Sequence, residues 1–192
     1  MAKKIRLAIL ASGSGSNAEA IMEWASWSDM AEVVCVLSDK KSALVLERAK
    51  RRRIPTVKVF KKLSESRPEY DQRMIAKLSD YNPDWIVLAG FMKLLTPVFL
   101  QKFQDRVINI HPSLLPLFPG TDGYGDAFKS GVSESGCTIH YVDAGIDTGA
   151  IIAQQKFPLI KGESFEDFKA RGLKIENEFY PVVLEKLLKG LI

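Results

Sequence analysis

The stretch IRLAILASGSGSN, Ile5 to Asn17, decides how this chain is read. Its first six residues are apolar apart from Arg6, the composition of a strand buried on both faces. Ala11-Ser12-Gly13-Ser14-Gly15-Ser16-Asn17 follows directly and opens a helical pattern. Glycines let a backbone turn sharply from strand into helix, and the unpaired N–H groups of the helix terminus then attract an anion. Ser and Asn side chains add donors, so the turn is a candidate phosphate cradle. It lacks the lysine of a Walker A loop, which argues against nucleoside triphosphate hydrolysis. Gly13, Gly15 and Ala18 also fit G-x-G-x-x-A loosely, with Asp39 after the second strand, so a dinucleotide site stays open at this point. A purely structural turn with a capped helix stays open too.

Working outward, the same alternation of apolar run and amphipathic stretch continues to about residue 110. Strand-like runs fall at 5–10, 32–38, 56–60, 85–90 and 107–110, with helix-like stretches near 17–27, 41–52, 69–80 and 96–103. Near-continuous apolar strands separated by helices predict a mostly parallel, doubly wound, Rossmann-like α/β sheet. Beyond Pro112 the rhythm changes. The loop PSLLPLFPGTDGYG leads into a short helix at 124–130, two strands at 136–143 and 150–159, and a long C-terminal helix at 164–189 opened by Ser164. The later strands predict an antiparallel extension. No internal repeat or linker breaks the chain, and one domain over 1–192 is the simplest expectation.

Composition narrows the classes. The net charge is only +4, and the densest basic run, Lys50 to Arg53, closes a helix where cations suit the carboxyl terminus. Nucleic-acid binding is therefore not expected, and that run is read as a solvated cap. Arg6 interrupts the apolar start, which makes Ile5–Leu10 a strand rather than a secretion signal. No membrane span is expected, and the protein is read as cytoplasmic. Cys35 and Cys137 lie in apolar runs and are read as buried strand thiols. Two histidines without paired thiols offer no metal ligand set. Trp24, Trp27 and Trp85 are read as packing residues.

Two further constellations carry chemistry. In Val107-Ile108-Asn109-Ile110-His111-Pro112, residues two apart share a strand face, so Asn109 and His111 project together. They stand at a strand's carboxyl end, where open parallel sheets bind ligands. His140-Tyr141-Val142-Asp143-Ala144-Gly145-Ile146-Asp147-Thr148-Gly149 places two acids four apart in a glycine-spaced loop, within reach of a neighbouring imidazole. His140 itself lies in an apolar run and is read as a hydrogen-bonded core histidine.

Taken in order, SGSGSN (12–17), VLAGFMKLLTP (87–97), NIHPSLLP (109–116), HYVDAGIDTG (140–149) and IENEFYP (175–181) resemble the phosphoribosylglycinamide formyltransferases of purine synthesis. The resemblance spans about Lys4 to Leu187. The Phe118-Pro119-Gly120 ending and the 192-residue length set it apart from methionyl-tRNA formyltransferases and from formyltetrahydrofolate deformylases, which carry additional domains. It implies an enzyme that moves a formyl group from 10-formyltetrahydrofolate, a cosubstrate, to the amine of phosphoribosylglycinamide, without a metal. It implies a phosphate-binding half at 1–110 and a folate-binding, catalytic half at 111–192.

The same resemblance implies a catalytic set of Asn109, His111 and Asp147; since a nearby carboxylate raises an imidazole pKa, Asp147 is the expected partner of a protonated His111. Substrate contacts fall on Gly15, Ser16, Asn17 and Glu176. Folate contacts fall on Arg67, Met92, Lys93, Leu94, Leu95 and Asn109, and on Asp143, Ala144, Gly145, Ile146 and Asp147. Asn177 and Asp122 depart from the pattern, each standing where relatives carry a histidine. Small-molecule substrates are the expected partners, and oligomeric state is open. A nicotinamide oxidoreductase would instead leave Asn109 and Asp147 without roles, and a folate or sugar-phosphate binding protein would bind without turnover.

Overall fold

The structure is a computed structural model that describes residues 3–192. The described chain alternates strand and helix: β1 Ile5–Leu10, α1 Ser16–Trp27, β2 Ala31–Ser38, α2 Leu44–Arg51, β3 Thr56–Lys58, α3 Arg67–Ser79 and β4 Trp85–Leu88. There follow α4 Pro97–Lys102, β5 Val107–His111, α5 Gly123–Ser130, β6 Glu134–Tyr141, β7 Ile151–Pro158 and α6 Phe165–Leu188. The seven strands are hydrogen-bonded in the order β3-β2-β1-β4-β5-β6-β7. β1 to β4 pair in parallel, and β6 and β7 pair antiparallel. This is the mostly parallel α/β sheet with an antiparallel extension and a long final helix that the sequence predicts.

The residues group into two compact units, one ending at Ile108 and the other running Asn109–Ile192. In the first, Leu7, Ala8, Ile9 and Leu10 are all fully buried. Both faces of β1 are covered, which is why its apolar run is unbroken; each such Leu or Ile contributes about 1.5–3 kcal/mol. Ser66 and Glu69 start α3 with a reciprocal capping box. In the second unit, Tyr124, Phe157 and Phe168 centre a buried cluster that also gathers Phe128, Phe165 and Leu173. Ser164 caps α6 by accepting from the Asp167 N–H, the helix start its sequence signals.

Cys35 and Cys137 are free and buried in β2 and β6, and burial pushes both thiols up to about 12. Among the described residues no helix is long and apolar enough to cross a membrane.

Two local expectations are corrected. Trp27 does not pack: it is 66% exposed at the last position of α1, while Trp24 one turn earlier is buried. The basic run Lys50–Arg53 closes α2 with Lys50, Arg51 and Arg53 exposed, as a solvated cap would, except at Arg52. Arg52 is half-buried, and its guanidinium lies 3.3 Å from Glu23 of α1; Arg48 pairs with Glu19 at 3.5 Å. Neutralising acids on the neighbouring helix draw these cations in.

Candidate active site

Strand β5 sets out the first two candidate side chains. Ile108 and Ile110 are buried in the sheet, and Asn109 and His111 alternate with them, as period two requires. His111 is 2% exposed. Its Nε2 lies 2.7 Å from the Phe118 carbonyl, so Nε2–H donates there. Its Nδ1 lies 3.3 Å from Oδ2 of Asp147.

Asp147 arrives on the loop between β6 and β7. Asp143 shapes that loop by accepting from the Gly145 N–H at 3.0 Å and the Thr148 hydroxyl at 2.7 Å. Asp147 has φ 53, a left-handed backbone that Asp tolerates better than most residues. The Gly120 N–H donates to its Oδ2 at 2.8 Å. Its Oδ1 lies 3.5 Å from Nε2 of His140, so one carboxylate stands between two imidazoles. The amide nitrogen of Asn109 lies 3.3 Å from the same His140 Nε2. His140 Nδ1 lies 2.8 Å from the Tyr141 carbonyl and donates to it. In the neutral ring Nε2 is then an acceptor for Asn109.

The structure therefore brings the three predicted residues together and sets His140 beside them. His140 is the buried, hydrogen-bonded histidine that the sequence predicts, and its Nε2 also stands beside the Asn109 amide and the Asp147 carboxylate. The signal was available, since the chain has only two histidines.

Electrostatics bear out the direction of the Asp147 effect on His111 but reverse the net outcome. Burial lowers the His111 pKa, and it outweighs the Phe118 carbonyl and the Asp147 charge, which raise it. The resting ring is neutral rather than held cationic by its carboxylate. Burial pushes the Asp147 carboxyl up, but the bond to His140, the Gly120 N–H and the positive charge that either imidazole would carry when protonated outweigh that and leave it below the ordinary range. Asp147 is ionised at neutral pH. A histidine whose folded pKa is depressed binds fewer protons folded than unfolded. It contributes stability above its unfolded pKa of about 6.5, and that stability is lost as pH falls towards the folded value. The thermal midpoint of the wild type is expected to fall as pH drops below about 6.5, and His111→Asn to flatten that slope. Parallel melts across this range check it.

The glycine turn belongs to the first unit. Gly15 caps α1 at φ 74, and no side chain caps that terminus. A Cβ at Gly15 would overlap Val45, so only glycine fits. The turn is tied down by Ser12 N–H to the Gly90 carbonyl at 3.0 Å and by Arg48 to the Ser14 carbonyl at 2.9 Å. An uncapped, pinned terminus suits an anion. Gly15→Ala is expected to destabilise the protein by about 1–2 kcal/mol from backbone strain and about 1–3 kcal/mol from overpacking, read from a denaturant midpoint.

The other predicted contacts are placed unevenly. Met92, Lys93 and Leu94 are exposed and Leu95 is buried. This segment is pinned at both ends: the Met92 N–H donates to the Ser12 hydroxyl at 2.9 Å, and Thr96 donates twice to Asp71, at 2.6 and 2.7 Å. Arg67 is exposed at the first position of α3, and Asp143 to Ile146 are exposed. Glu176 is buried on α6 and accepts a hydrogen bond from the Tyr124 hydroxyl. Of the two departures, Asp122 caps α5 through the Gly125 N–H at 3.2 Å, whereas Asn177 holds a buried side-chain oxygen without a hydrogen bond among the described residues. Asp39 is only 7% exposed, poorly placed to meet the ribose that the dinucleotide alternative requires.

The chain that gathers an amide, two imidazoles and a carboxylate at the β5–β6 end of this sheet matches the formyl transferase family model over residues 5–184, a match of sequence. The chain belongs to that family. It is 40% identical to the phosphoribosylglycinamide formyltransferase of Bacillus subtilis over 95% of this chain and 94% of that one. It is 41% identical to the trifunctional purine biosynthetic protein adenosine-3 of Drosophila pseudoobscura pseudoobscura, covering 97% of this chain but 14% of that much longer protein. The crystal structure of glycinamide ribonucleotide transformylase 1 from Geobacillus kaustophilus superposes with a TM-score of 0.92 at 43% identity, over 97% of this chain and all of that one.

Proposed function

We propose that this formyltransferase moves the formyl group of 10-formyltetrahydrofolate to the amine of N1-(5-phospho-D-ribosyl)glycinamide. The products are the formylglycinamide ribonucleotide and tetrahydrofolate, a step of de novo purine synthesis in the cytoplasm. The observation that carries the reading is the shared carboxylate: Asp147 stands 3.3 Å from His111 and 3.5 Å from His140, beside the Asn109 amide. Full-length similarity to a phosphoribosylglycinamide formyltransferase supports the choice of acceptor.

The acceptor amine, with an ordinary pKa of about 8, keeps a useful neutral fraction at physiological pH. It attacks the formyl carbon, and the carbonyl oxygen becomes an oxyanion. The Asn109 amide and the His111 Nε2–H donate to that oxygen, each such donor supplying about 3 kcal/mol. The oxyanion competes for Nε2–H with the Phe118 carbonyl, and the charged acceptor makes the stronger bond. Asp147 takes the proton released by the attacking amine and passes it through water to N10 as the carbon–N10 bond breaks. Gly15, Ser16 and Asn17 hold the phosphate at the α1 terminus, and Glu176 meets the glycinamide. Arg67, Met92 to Leu95 and Asp143 to Asp147 contact the folate. Fixing both substrates makes the encounter effectively intramolecular. Neither a covalent intermediate nor a metal is required.

The test is to mix enzyme with both substrates and follow the folate absorbance. Turnover that depends on the amine supports the reading. Release of formate without the acceptor, or no turnover at all, removes it.

A further inference from the structure

The structure assigns Tyr124 the role of a positioning residue, which holds the first turn of α5 against the His111 ring through a buried hydrogen bond to Glu176. Three observations in the second unit build this. Helix α5 begins at Gly123, where a side-chain carbon would lie 3.0 Å from His111 Nε2 and 3.0 Å from the Pro112 carbonyl. The helix backbone is thus one wall of the His111 pocket, and a glycine lets it stand there. The next residue, Tyr124, is buried with its ring edge-on to Phe168 at 5.7 Å, and its hydroxyl donates to Glu176 of α6. Four residues before Glu176 on that helix stands Gly172, where a side chain would overlap the Tyr124 ring. Helix α6 thus offers a slot and a carboxylate at i and i+4, on one face, shaped to one tyrosine.

An eight-residue helix does not hold its own position in water. Phe128, packed on Phe165 and Phe168, anchors the far end of α5, which leaves Tyr124 as the buried anchor of the end that meets His111. Burial and the Glu176 charge raise the Tyr124 pKa far above its ordinary value, so the hydroxyl stays protonated and remains the donor. The groups that face His111 are Asp147 from the β6–β7 loop, His140 from β6 and the Phe118 carbonyl; α5 brings only uncharged backbone. What α5 contributes is exclusion of water. Without it, burial loses its lead over Asp147 and the Phe118 carbonyl, and the ring becomes easier to protonate.

The test titrates the two imidazoles by NMR, with His111 assigned from the resonance missing in His111→Asn. Tyr124→Phe keeps the ring and removes the hydroxyl. It is expected to raise the His111 midpoint by about half a pH unit or more. Glu176→Gln still accepts from the hydroxyl and is expected to leave that midpoint at the wild-type value. Gly172→Ala displaces the ring with hydroxyl and carboxylate intact, and is expected to reproduce the Tyr124→Phe shift; it decides the matter if Tyr124→Phe does not fold. An unchanged midpoint in both Tyr124→Phe and Gly172→Ala, or an equal rise in Glu176→Gln, overturns the assignment. Under the proposed formyl transfer, on which only this rate readout rests, Tyr124→Phe lowers kcat about ten- to a hundred-fold with an unchanged folate KM. The titration needs no substrate. A wild type that fails to transfer formyl therefore sinks the proposed function and leaves this inference to stand or fall on its midpoints.

Discussion

Asp147→Asn is expected to lower kcat by about 10³- to 10⁴-fold while the protein stays folded. The substitution keeps the shape of the side chain, and its amide oxygen can still accept from the Gly120 N–H, a 2.8 Å bond in the wild type. What disappears is the anion between His111 Nδ1 and His140 Nε2. With it the amine loses its proton acceptor. Asp147 lies below the ordinary carboxylate range when folded. It therefore contributes stability above its unfolded pKa of about 3.9, and that stability is lost as pH falls through the lower folded value. Asp147→Asn should remove this component, so acid unfolding of the variant should be less steep. A rate within ten-fold of wild type would dismiss the proton-acceptor role.

His111→Ala is expected to cost about 10²- to 10³-fold in kcat, the scale of one lost oxyanion donor. It also leaves the Phe118 carbonyl, 2.7 Å from Nε2 in the wild type, without its donor, a penalty of about 1–3 kcal/mol. Rates should therefore be compared well below the melting midpoint, so that unfolding does not imitate a chemical defect. His111→Asn, which restores a donor, should recover part of the rate. Equal loss in Ala and Asn variants would show that the imidazole acts by more than donating.

The fold was legible because each level of the sequence agreed with the next. IRLAIL is buried throughout its second half, and Ser164 starts α6 where a cap belongs. Asn109 and His111 share a face through simple strand alternation, and the prediction needed nothing beyond period two. What stayed hidden depends on contacts far apart in the chain. His140 reads as core because its neighbours are apolar, and it is buried; what the sequence did not show is its contact with Asn109, 31 residues away. The His111 pKa direction depends on how thoroughly the ring is covered, which spacing does not encode. Tyr124 and Gly172 are ordinary helix residues until α5 and α6 are laid together. Trp27 erred the other way: an aromatic at a helix end needs no partner at all.

The most direct test follows a ¹³C-labelled formyl group by mass spectrometry from 10-formyltetrahydrofolate, with wild type and Asp147→Asn side by side. The label is expected on the glycinamide amine in the wild type and to build up orders of magnitude more slowly in the variant. Label released as formate, or transferred equally fast by both proteins, would contradict an active site built on the Asp147 carboxylate.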